Sequence, residues 1–424
     1  MKRWCIALMI AALALVAGCN KSGNNQNSAN ARVLNAVIDA EPLDFVVADD
    51  LKQAAVALTV TTPYSTFSSG TQDVKIRSSV NSTILTEKSL NFPSGTNQTV
   101  VIYGRRATLS TLLLTDDTTD PATGKFRVRA VGLSDSSGPV DVYLAGTDVS
   151  GVPPTISSVG YTSATDYAEL AEGDYVVTYT AAGNKQVLFQ APSQRFTAGT
   201  KNTLTIFPTT GGQLVSGVFL TAGGTAAGTY VANTKSRIKA VNAIPDSTGL
   251  SYFAEATPLL SNVPFQGASS YITTTTGAHT LRIEQSNVPG TTLASLAKTL
   301  GSGQDYTLMA VNPLASASLT ALLDNNSLPT GTNVRLRFVN ALVGSGNVDA
   351  LVDFATQASA IPFNTASPYV QIAASSTYTI TFASAGGVTS VATLTPVEFL
   401  AGGVYSVYVV GTGTAGIVKI TRDR

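Results

Sequence analysis

The chain has 424 residues with 26 basic and 26 acidic side chains, so its net charge is zero, and only 12% of its residues are charged. Nucleic-acid-binding domains usually carry a basic surplus, so we expect no nucleic-acid partner. The chain contains one histidine and two cysteines. This composition leaves few candidates for metal ligands or nucleophiles, and we predict no cofactor and no bound metal.

The first eighteen residues predict a secretory signal. Lys2 and Arg3 form a basic start, and the apolar run at residues 6–17 is too short to span a bilayer stably. The sequence ValAlaGlyCys that ends at Cys19 resembles the lipobox of bacterial lipoproteins, in which the cysteine is acylated and becomes the first residue. Asn20 fits the pattern of lipoproteins sorted to the outer membrane. We therefore predict lipidation at Cys19 and a location in the bacterial cell envelope, lipid-anchored at the outer membrane on its periplasmic or surface face. The alternative is an ordinary cleaved signal.

Both cysteines belong to this N-terminal region. Cys5 leaves with the signal and Cys19 is acylated, so the mature chain keeps no free thiol. Thiol nucleophiles, zinc ribbons and disulfide frameworks are thereby excluded. Residues 19–30 are the lipidated cysteine and a stretch of Asn, Ser, Gly, Lys, Gln and Ala, which buries too little apolar surface to fold. We predict a flexible tether there.

The remainder of the chain is a four-fold repeat. The phrase ArgValLeuAsnAlaVal at residues 32–37 returns as ArgValArgAlaValGly, ArgIleLysAlaValAsn and ArgLeuArgPheValAsn at residues 127–132, 237–242 and 335–340. Anchoring the alignment on Asn35, Gly132, Asn242 and Asn340 gives spacings of 97, 110 and 98 residues, each the size of one small domain. We predict domain boundaries at residues 31–122, 123–232, 233–331 and 332–424.

Within each repeat, short segments alternate apolar and polar residues and are separated by Gly, Pro, Ser and Asn turns. About seven such strands per 100 residues predict an all-β fold, a tandem array of four immunoglobulin-like antiparallel β-sandwich modules. A β-propeller is the competing architecture, but its blades recur at about 40–50 residues. Residues 50–58 and 292–300 have helix-compatible compositions. We predict a strand for the second, and the first stays open between helix and strand.

Three sets of positions recur in phase with the anchor residues. An acid or serine stands nine residues after each anchor and is expected to accept backbone N–H bonds at a turn. A tyrosine opens a second phrase, and a glycine precedes a Thr or Ser by four residues and is expected to supply a turn with positive φ. These sets are Asp44, Asp141, Ser251 and Asp349; Tyr64, Tyr167, Tyr271 and Tyr369; and Gly95, Gly199, Gly303 and Gly402.

These phrases resemble the bacterial secreted repeat family known as domain of unknown function 4397. The third repeat carries the resemblance best, in residues 237–246, 261–265, 271–277 and 305–311, and the fourth repeats it in residues 361–363 and 404–410. The similarity covers residues 31–424, is weaker in the first repeat, and Ser375 stands where the family has glycine. The resemblance implies a secreted β-sandwich and no assigned chemistry, so it transfers no catalytic residue.

The candidate active-site signals each have a simpler structural interpretation. His279 is the only possible catalytic base of its type and fits a strand residue better. One recurring Asp per module does not supply the facing pair of acids that a glycosidase needs. The GxGxxG pattern at residues 411–416 is followed by a strand rather than by a helix, which favours a hairpin turn over a dinucleotide site. The Asx-rich junctions, Asp116, Asp117 and Asp120 and again Asp324, Asn325 and Asn326, suggest calcium only weakly, since the second junction has no acid.

The sequence thus predicts a protein that is not an enzyme. We interpret it as a cell-envelope lipoprotein whose repeat array acts as a spacer or interaction scaffold. Its predicted partners are the membrane, through the lipid anchor, and envelope proteins or surface polysaccharide, with no small-molecule substrate identified. The alternative is a surface adhesin or carbohydrate-binding protein that uses some of the 15 tyrosines as stacking platforms. An envelope hydrolase is disfavoured by the single histidine.

Overall fold

The computed structural model describes residues 27–116, 119–209, 211–223, 228–387 and 389–424. The predicted signal, Cys19 and most of the predicted tether lie outside the described residues. The described chain is built almost entirely of strands, with two single 3-10 turns at Arg106–Thr108 and Leu314–Ser316. In this part of the chain, no helix has the length and apolar character needed to cross a membrane.

The strands form four consecutive modules. Module 1 contains β1 (Ser28–Asn35), β2 (Leu43–Val47), β3 (Asp50–Val56), β4 (Ser65–Ser68), β5 (Gly70–Ser78), β6 (Ile84–Phe92), β7 (Asn97–Tyr103) and β8 (Ser110–Thr115). Module 2 contains β9 (Lys125–Gly132), β10 (Val140–Ala145), β11 (Ile156–Val159), β12 (Ala168–Ala171), β13 (Gly173–Ala181), β14 (Val187–Phe196), β15 (Lys201–Ile206), β16 (Gly217–Thr221) and β17 (Thr229–Val231).

The two remaining modules repeat this arrangement. Module 3 contains β18 (Lys235–Asn242), β19 (Leu250–Ala254), β20 (Thr257–Val263), β21 (Ile272–Thr275), β22 (Gly277–Gln285), β23 (Thr292–Leu300), β24 (Asp305–Val311) and β25 (Ser318–Asp324). Module 4 contains β26 (Asn333–Val343), β27 (Val348–Val352), β28 (Ala355–Ile361), β29 (Thr365–Ala366), β30 (Val370–Ala373), β31 (Ser375–Ser384), β32 (Ser390–Phe399), β33 (Val404–Thr412) and β34 (Ala415–Arg422).

Each module is a sandwich of two sheets. In module 1 the sheet that contains the first strand, which we call the front sheet, has the order β4-β1-β7-β8, and the back sheet has the order β3-β2-β5-β6. The other modules follow the same plan, so the predicted tandem β-sandwich fold is confirmed. One detail differs from a purely antiparallel fold, because the first strand pairs in parallel with β7, and β9, β18 and β26 pair likewise with β15, β24 and β33. The chain crosses to the back sheet and returns in its original direction, which makes this pair parallel.

The hydrophobic core of each module lies between its two sheets. Successive side chains on a strand point to opposite faces, so Val33 and Val100 of the front sheet meet Phe45 and Ile76 of the back sheet. These four side chains are fully buried. The other modules have equivalent cores. Each module therefore buries its own core, as the repeat length predicts.

Three local predictions are settled by the strands. The stretch left open at residues 50–58 forms β3, and the segment predicted as a strand at residues 292–300 is β23. The predicted tether is too long by three residues, because Ser28–Asn30 belong to β1 and pair with β4 and β7. Ala29 and Ala31 are apolar enough to pack into the core of module 1, which accounts for this earlier start.

The recurring acids and anchor residues have structural roles. Asp44, Asp141 and Asp349 each accept a backbone N–H from a residue with positive φ on the neighbouring strand. Asp141 and Asp349 also accept one at a turn, from Gly183 N and Gly386 N, so the expected turn role is confirmed for these two. The buried Asn35 side chain donates to Val56 O and accepts from Val37 N, and Asn242 and Asn340 make equivalent bonds. Module 2 needs glycine here, since a Cβ on Gly132 would lie 2.0 Å from Gly160 O.

Candidate functional site at the faces between modules

The modules pack against one another in two pairs through their front sheets. The side chains of Leu34 and Val101 point away from the module 1 core and meet Val131, Phe207 and Leu220 of module 2. Module 3 and module 4 meet in the same way through a second apolar cluster: Val241, Met309, Val339, Tyr408 and Val410. We call these two contacts the 1–2 face and the 3–4 face. The front strands are therefore buried on both sides, which explains their nearly continuous apolar sequence.

The first strand of every module carries a buried cation, at one end of the row of side chains that points away from the module's own core. The four cations are at most 6% exposed: Arg32, Arg129, Lys239 and Arg337. In the parallel pairing each lies opposite a hydroxyl residue, namely Thr99, Thr203, Thr307 and Ser406. In the structure, Arg129 is therefore the equivalent of Arg32. The matched sequence phrases begin instead with Arg32 and Arg127. A buried cation is costly unless it is paired, so its partners define the face.

The 3–4 face pairs both of its cations across the two modules. Arg337 Nη2 of module 4 lies 2.6 Å from Asp324 Oδ1 of module 3, and Lys239 Nζ of module 3 contacts Asp423 Oδ1 of module 4. Hydroxyl groups complete the network, because Thr307 Oγ1 donates to Asp324 at 2.8 Å and Ser406 Oγ donates to Asp423 at 2.5 Å. Two cations and two carboxylates are buried together, so charge is balanced within this face.

The 1–2 face has the same geometry with one carboxylate fewer. Arg129 Nη2 of module 2 donates to Asp116 Oδ1 of module 1 at 3.1 Å, and its Nη1 donates to Thr115 O at 2.9 Å. Arg32 Nη1 of module 1 donates to Thr221 O of module 2 at 3.0 Å, the counterpart of the Thr115 bond. Among the described residues, the one ion-pair partner of Arg32 Nη2 is Asp116 of its own module, with Oδ2 at 3.5 Å. Two arginines therefore share one aspartate.

The recurring tyrosines pack on these cations. The guanidinium carbon of Arg32 lies 4.9 Å from the ring centroid of Tyr64, and Lys239 Nζ lies 5.3 Å from that of Tyr271. The phenol of Tyr271 donates to Asp324 at 2.5 Å. Burial, followed by the negative charge of Asp324, raises the pKa of Tyr271 well above its usual value. These rings therefore cover the buried cations of the two faces.

The charge network also shifts the pKa values of the buried cations. Burial alone lowers the pKa of Lys239, but Tyr408, Asp423 and Asp324 outweigh burial, and the pKa lies above its ordinary value. The pKa of Arg337 is raised in the same way, with Asp324 as the strongest of the opposing influences. Both side chains therefore stay charged inside the 3–4 face at neutral pH.

The two pairs of modules touch each other through polar contacts. Arg237 Nη1 of module 3 donates to Gln213 Oε1 of module 2 at 2.7 Å, and Asn326 N donates to Gly211 O at 2.8 Å. Arg424 Nη2 of module 4 donates to Ser136 O of module 2 at 2.5 Å. Burial and then the nearby Arg237 lower the pKa of Arg424 to about 10.

A cleft of about 710 Å³ opens where all four modules meet. Leu58 of module 1, Phe207 and Tyr230 of module 2, Leu323 of module 3 and Tyr369 of module 4 contribute to its largely apolar lining. Leu323 is 57% exposed there. No module forms this cleft alone, so its shape depends on both faces staying closed.

The structure places the candidate catalytic residues in structural positions. His279 lies on β22 beside Glu255, with Nδ1 3.2 Å from Glu255 Oε2, as the strand interpretation predicts. The glycines of residues 411–416 lie at the β33–β34 hairpin, and no helix follows them. Within the described ranges, no group of three or more His, Cys, Asp or Glu side chains is placed to hold a metal ion.

The acids that suggested calcium are occupied by cations. Asp116 binds Arg129, Asp324 binds Arg337, and Asp120 Oδ1 lies 2.8 Å from Lys201 Nζ. Asp117 lies outside the described residues. Sequence reasoning noticed these acids but missed their partners across the module faces. The available signal was a cation within an apolar strand of every repeat, since a cation on a strand buried on both sides requires a carboxylate nearby.

The family model described as "Domain of unknown function (DUF4397)" matches residues 29–143, 236–351 and 337–423. These ranges cover modules 1, 3 and 4, whereas most of module 2 is unmatched. Among curated proteins, none matches this chain in sequence.

Several solved structures overlay on parts of the fold. The Bacillus anthracis TIE protein is 12% identical, with 91% of this chain and 69% of that chain covered and a TM-score of 0.16. The module CBMbc (family CBM26) of Eubacterium rectale Amy13K, in complex with maltoheptaose, is 11% identical, with 47% and 95% covered and a TM-score of 0.15. A streptococcal virulence factor described by its alpha-glucan binding is 8% identical, with 42% and 93% covered and a TM-score of 0.15. At these scores the overlays carry no argument about ligands.

Proposed function

Because the chain belongs to the family described as Domain of unknown function (DUF4397), which has no assigned chemistry, we propose its function from the geometry: a non-enzymatic, lipid-anchored scaffold of the bacterial cell envelope. The observation that carries this proposal is the pairing of the modules through buried, charge-paired faces. Modules joined by short linkers alone move independently, whereas large buried faces hold them in one arrangement. The chain is then suited to presenting surfaces at fixed positions.

The anchor part of the proposal rests on Cys19 and is tested by fractionation of the native host. We expect wild-type protein in the membrane fraction and the Cys19→Ala variant in the soluble envelope fraction, because the acyl chains supply the membrane affinity. Cys5→Ala is the matched control, since it removes the other cysteine and leaves the acylation point. Membrane retention of the Cys19→Ala variant, with removal of its signal verified by mass, would overturn the anchor.

The rigid-scaffold part is tested by a distance measurement between modules. Val80 of module 1 is 76% exposed and Phe354 of module 4 is 82% exposed. The variant carries Cys19→Ala, so it is not acylated. Once the signal is removed, the cysteines introduced by Val80→Cys and Phe354→Cys supply its only thiols for spin labels. A narrow distance distribution is expected. A broad distribution spanning several tens of ångströms, as for modules on flexible linkers, would contradict the proposal.

Protease added to intact and to permeabilised cells separates the scaffold from the adhesin alternative. Protection until permeabilisation supports a periplasmic scaffold. Cleavage of modules on intact cells would place them outside and support adhesion or binding to surface polysaccharide.

A further inference from the structure

Module 2 lacks the carboxylate that the other three modules place at one end of the front sheet. Asp116 N donates to Asn97 O at 2.9 Å, and Asp423 N donates to Val404 O at 2.7 Å, two residues before the respective hydroxyl residues Thr99 and Ser406. Asp324 pairs with Asp305 at the same register. The equivalent bond in module 2 is made by Ala222 N to Lys201 O at 2.8 Å. Ala222 therefore occupies the aspartate position.

The groups that would hold this missing carboxylate are still present. In module 1, Asp116 accepts hydrogen bonds from Tyr64 Oη, Thr99 Oγ1 and, across the face, Arg129 Nη2. By position in the repeat, the counterparts of these three donors for Ala222 are Tyr167 Oη, Thr203 Oγ1 and Arg32 Nη2. Both Tyr167 Oη and Arg32 Nη2 are buried and make no hydrogen bond with any described residue.

Arg32 Nη2 is directed to the Ala222 position by its neighbouring bonds. Arg32 Nε donates to Thr99 Oγ1 at 2.9 Å, as Arg129 Nε does to Thr203 Oγ1. Arg32 Nη1 donates to Thr221 O, the carbonyl just before Ala222, as Arg129 Nη1 donates to the carbonyl just before Asp116. With Nε and Nη1 fixed in this equivalent way, Nη2 of a planar guanidinium has one direction left.

The segment that carries Ala222 supplies no acid. Residues 217–234, which contain β16 and β17 and the segment between them, include no Asp or Glu. Among the described residues, two buried guanidinium groups share the single charge of Asp116, which leaves one positive charge of this cluster without its own carboxylate. Ala222 is partly exposed and is flanked by the exposed Thr221 and Gly223, which gives solvent access.

We propose that the 1–2 face binds a small monovalent carboxylate beside Ala222, where it replaces the aspartate side chain of the other modules. Arg32 Nη2 and Tyr167 Oη donate to the carboxylate oxygens, and the Thr203 hydroxyl turns its hydrogen toward them as Thr99 does toward Asp116. A carboxylate matches both the one positive charge that lacks its own carboxylate and the planar arrangement of donors that holds Asp116. This site is independent of the scaffold function and of the lipid anchor.

Thermal unfolding of the full mature chain with Cys19→Ala tests the proposal, with sodium acetate replacing sodium chloride at constant ionic strength. We expect a saturable rise in the Tm of the transition that includes modules 1 and 2, by roughly 5–10 °C when acetate exceeds its Kd a hundredfold. The absence of a saturable rise would overturn the proposal.

Two variants at one position separate the site from general salt effects. Ala222→Asp supplies the missing carboxylate, so we expect a higher Tm without acetate and no further response to it. Ala222→Asn fills the same space without charge, so we expect neither the higher Tm nor the acetate response. An acetate response of wild-type size in Ala222→Asp would show that acetate acts elsewhere and would overturn the site.

Discussion

The 3–4 face and the 1–2 face are each formed by two equivalent front sheets, yet they pair their buried charges differently. The 3–4 face holds Lys239 and Arg337 against Asp324 and Asp423, so every cation has a carboxylate across the module boundary. In the 1–2 face two arginines share Asp116. The two faces therefore share one arrangement of strands, although the 1–2 face lacks a carboxylate that a bound ligand would supply. The faces, more than the cores, therefore distinguish these modules from one another.

Removing one carboxylate from the balanced face should produce the largest effect. Asp423→Ala removes the carboxylate that Lys239 Nζ contacts, so that Thr421 Oγ1 at 3.1 Å is its one remaining hydrogen-bond partner among the described residues, and Ser406 loses its acceptor. We expect a loss of about 3–5 kcal/mol of unfolding free energy, the usual cost of an uncompensated buried charge. Calorimetry should show the transition of modules 3 and 4 at lower temperature by roughly 10 °C or more.

The matched control for Asp423→Ala is Asp50→Ala, which removes an exposed carboxylate beside Lys52. Exposed pairs contribute little, so this variant should unfold like the wild type. Equal losses in the two variants would contradict the role assigned to the 3–4 face.

Replacing a cation should have unequal effects in the two faces. Arg337→Met removes the ion-pair partner of the buried Asp324, and we expect a loss of about 3 kcal/mol or more. Arg32→Met leaves Asp116 paired with Arg129, so we expect a loss of about 1 kcal/mol, from the bonds to Thr99 and Thr221. Urea unfolding of both variants measures the difference. Equal losses would show that the shared aspartate does not distinguish the faces.

Alkaline pH should weaken the 3–4 face through Lys239 and Tyr271. Their pKa values are raised in the folded protein, so the folded state holds these protons more tightly than the unfolded state. Their contribution to stability is complete below the unfolded values of about 10 and is lost as pH rises through the folded values, at up to about 1.4 kcal/mol per pH unit for each group. Unfolding followed by tyrosinate absorbance above pH 10 checks this. A Tm that stays constant across that range would contradict it.

The sequence predicts the modules better than it predicts their faces. Alternation along β1 and its repeats predicts a sandwich, and the recurring Asp141 and Asp349 predict turn acceptors, because both signals act within one module. Asp423 was not singled out, because it acts across a module boundary on Lys239, 184 residues away. Sequence periodicity encodes which side chains share a face of a strand, but not which two sheets will meet. The pairing of faces, and with it the unfilled position at Ala222, required the structure.

The smallest difference between the faces should come from the phenol groups. Tyr271→Phe removes a donor from the buried Asp324, so we expect a loss of about 1–2 kcal/mol. Tyr167→Phe removes a buried hydroxyl that has no hydrogen-bond partner among the described residues, so we expect no loss or a slight gain in acetate-free buffer. In acetate, Tyr167→Phe should instead lower the stability, because the Tyr167 hydroxyl then donates to the bound carboxylate. Calorimetry with and without acetate measures both effects. If Tyr167→Phe loses as much stability as Tyr271→Phe in acetate-free buffer, the Tyr167 hydroxyl already has an acceptor within the 1–2 face.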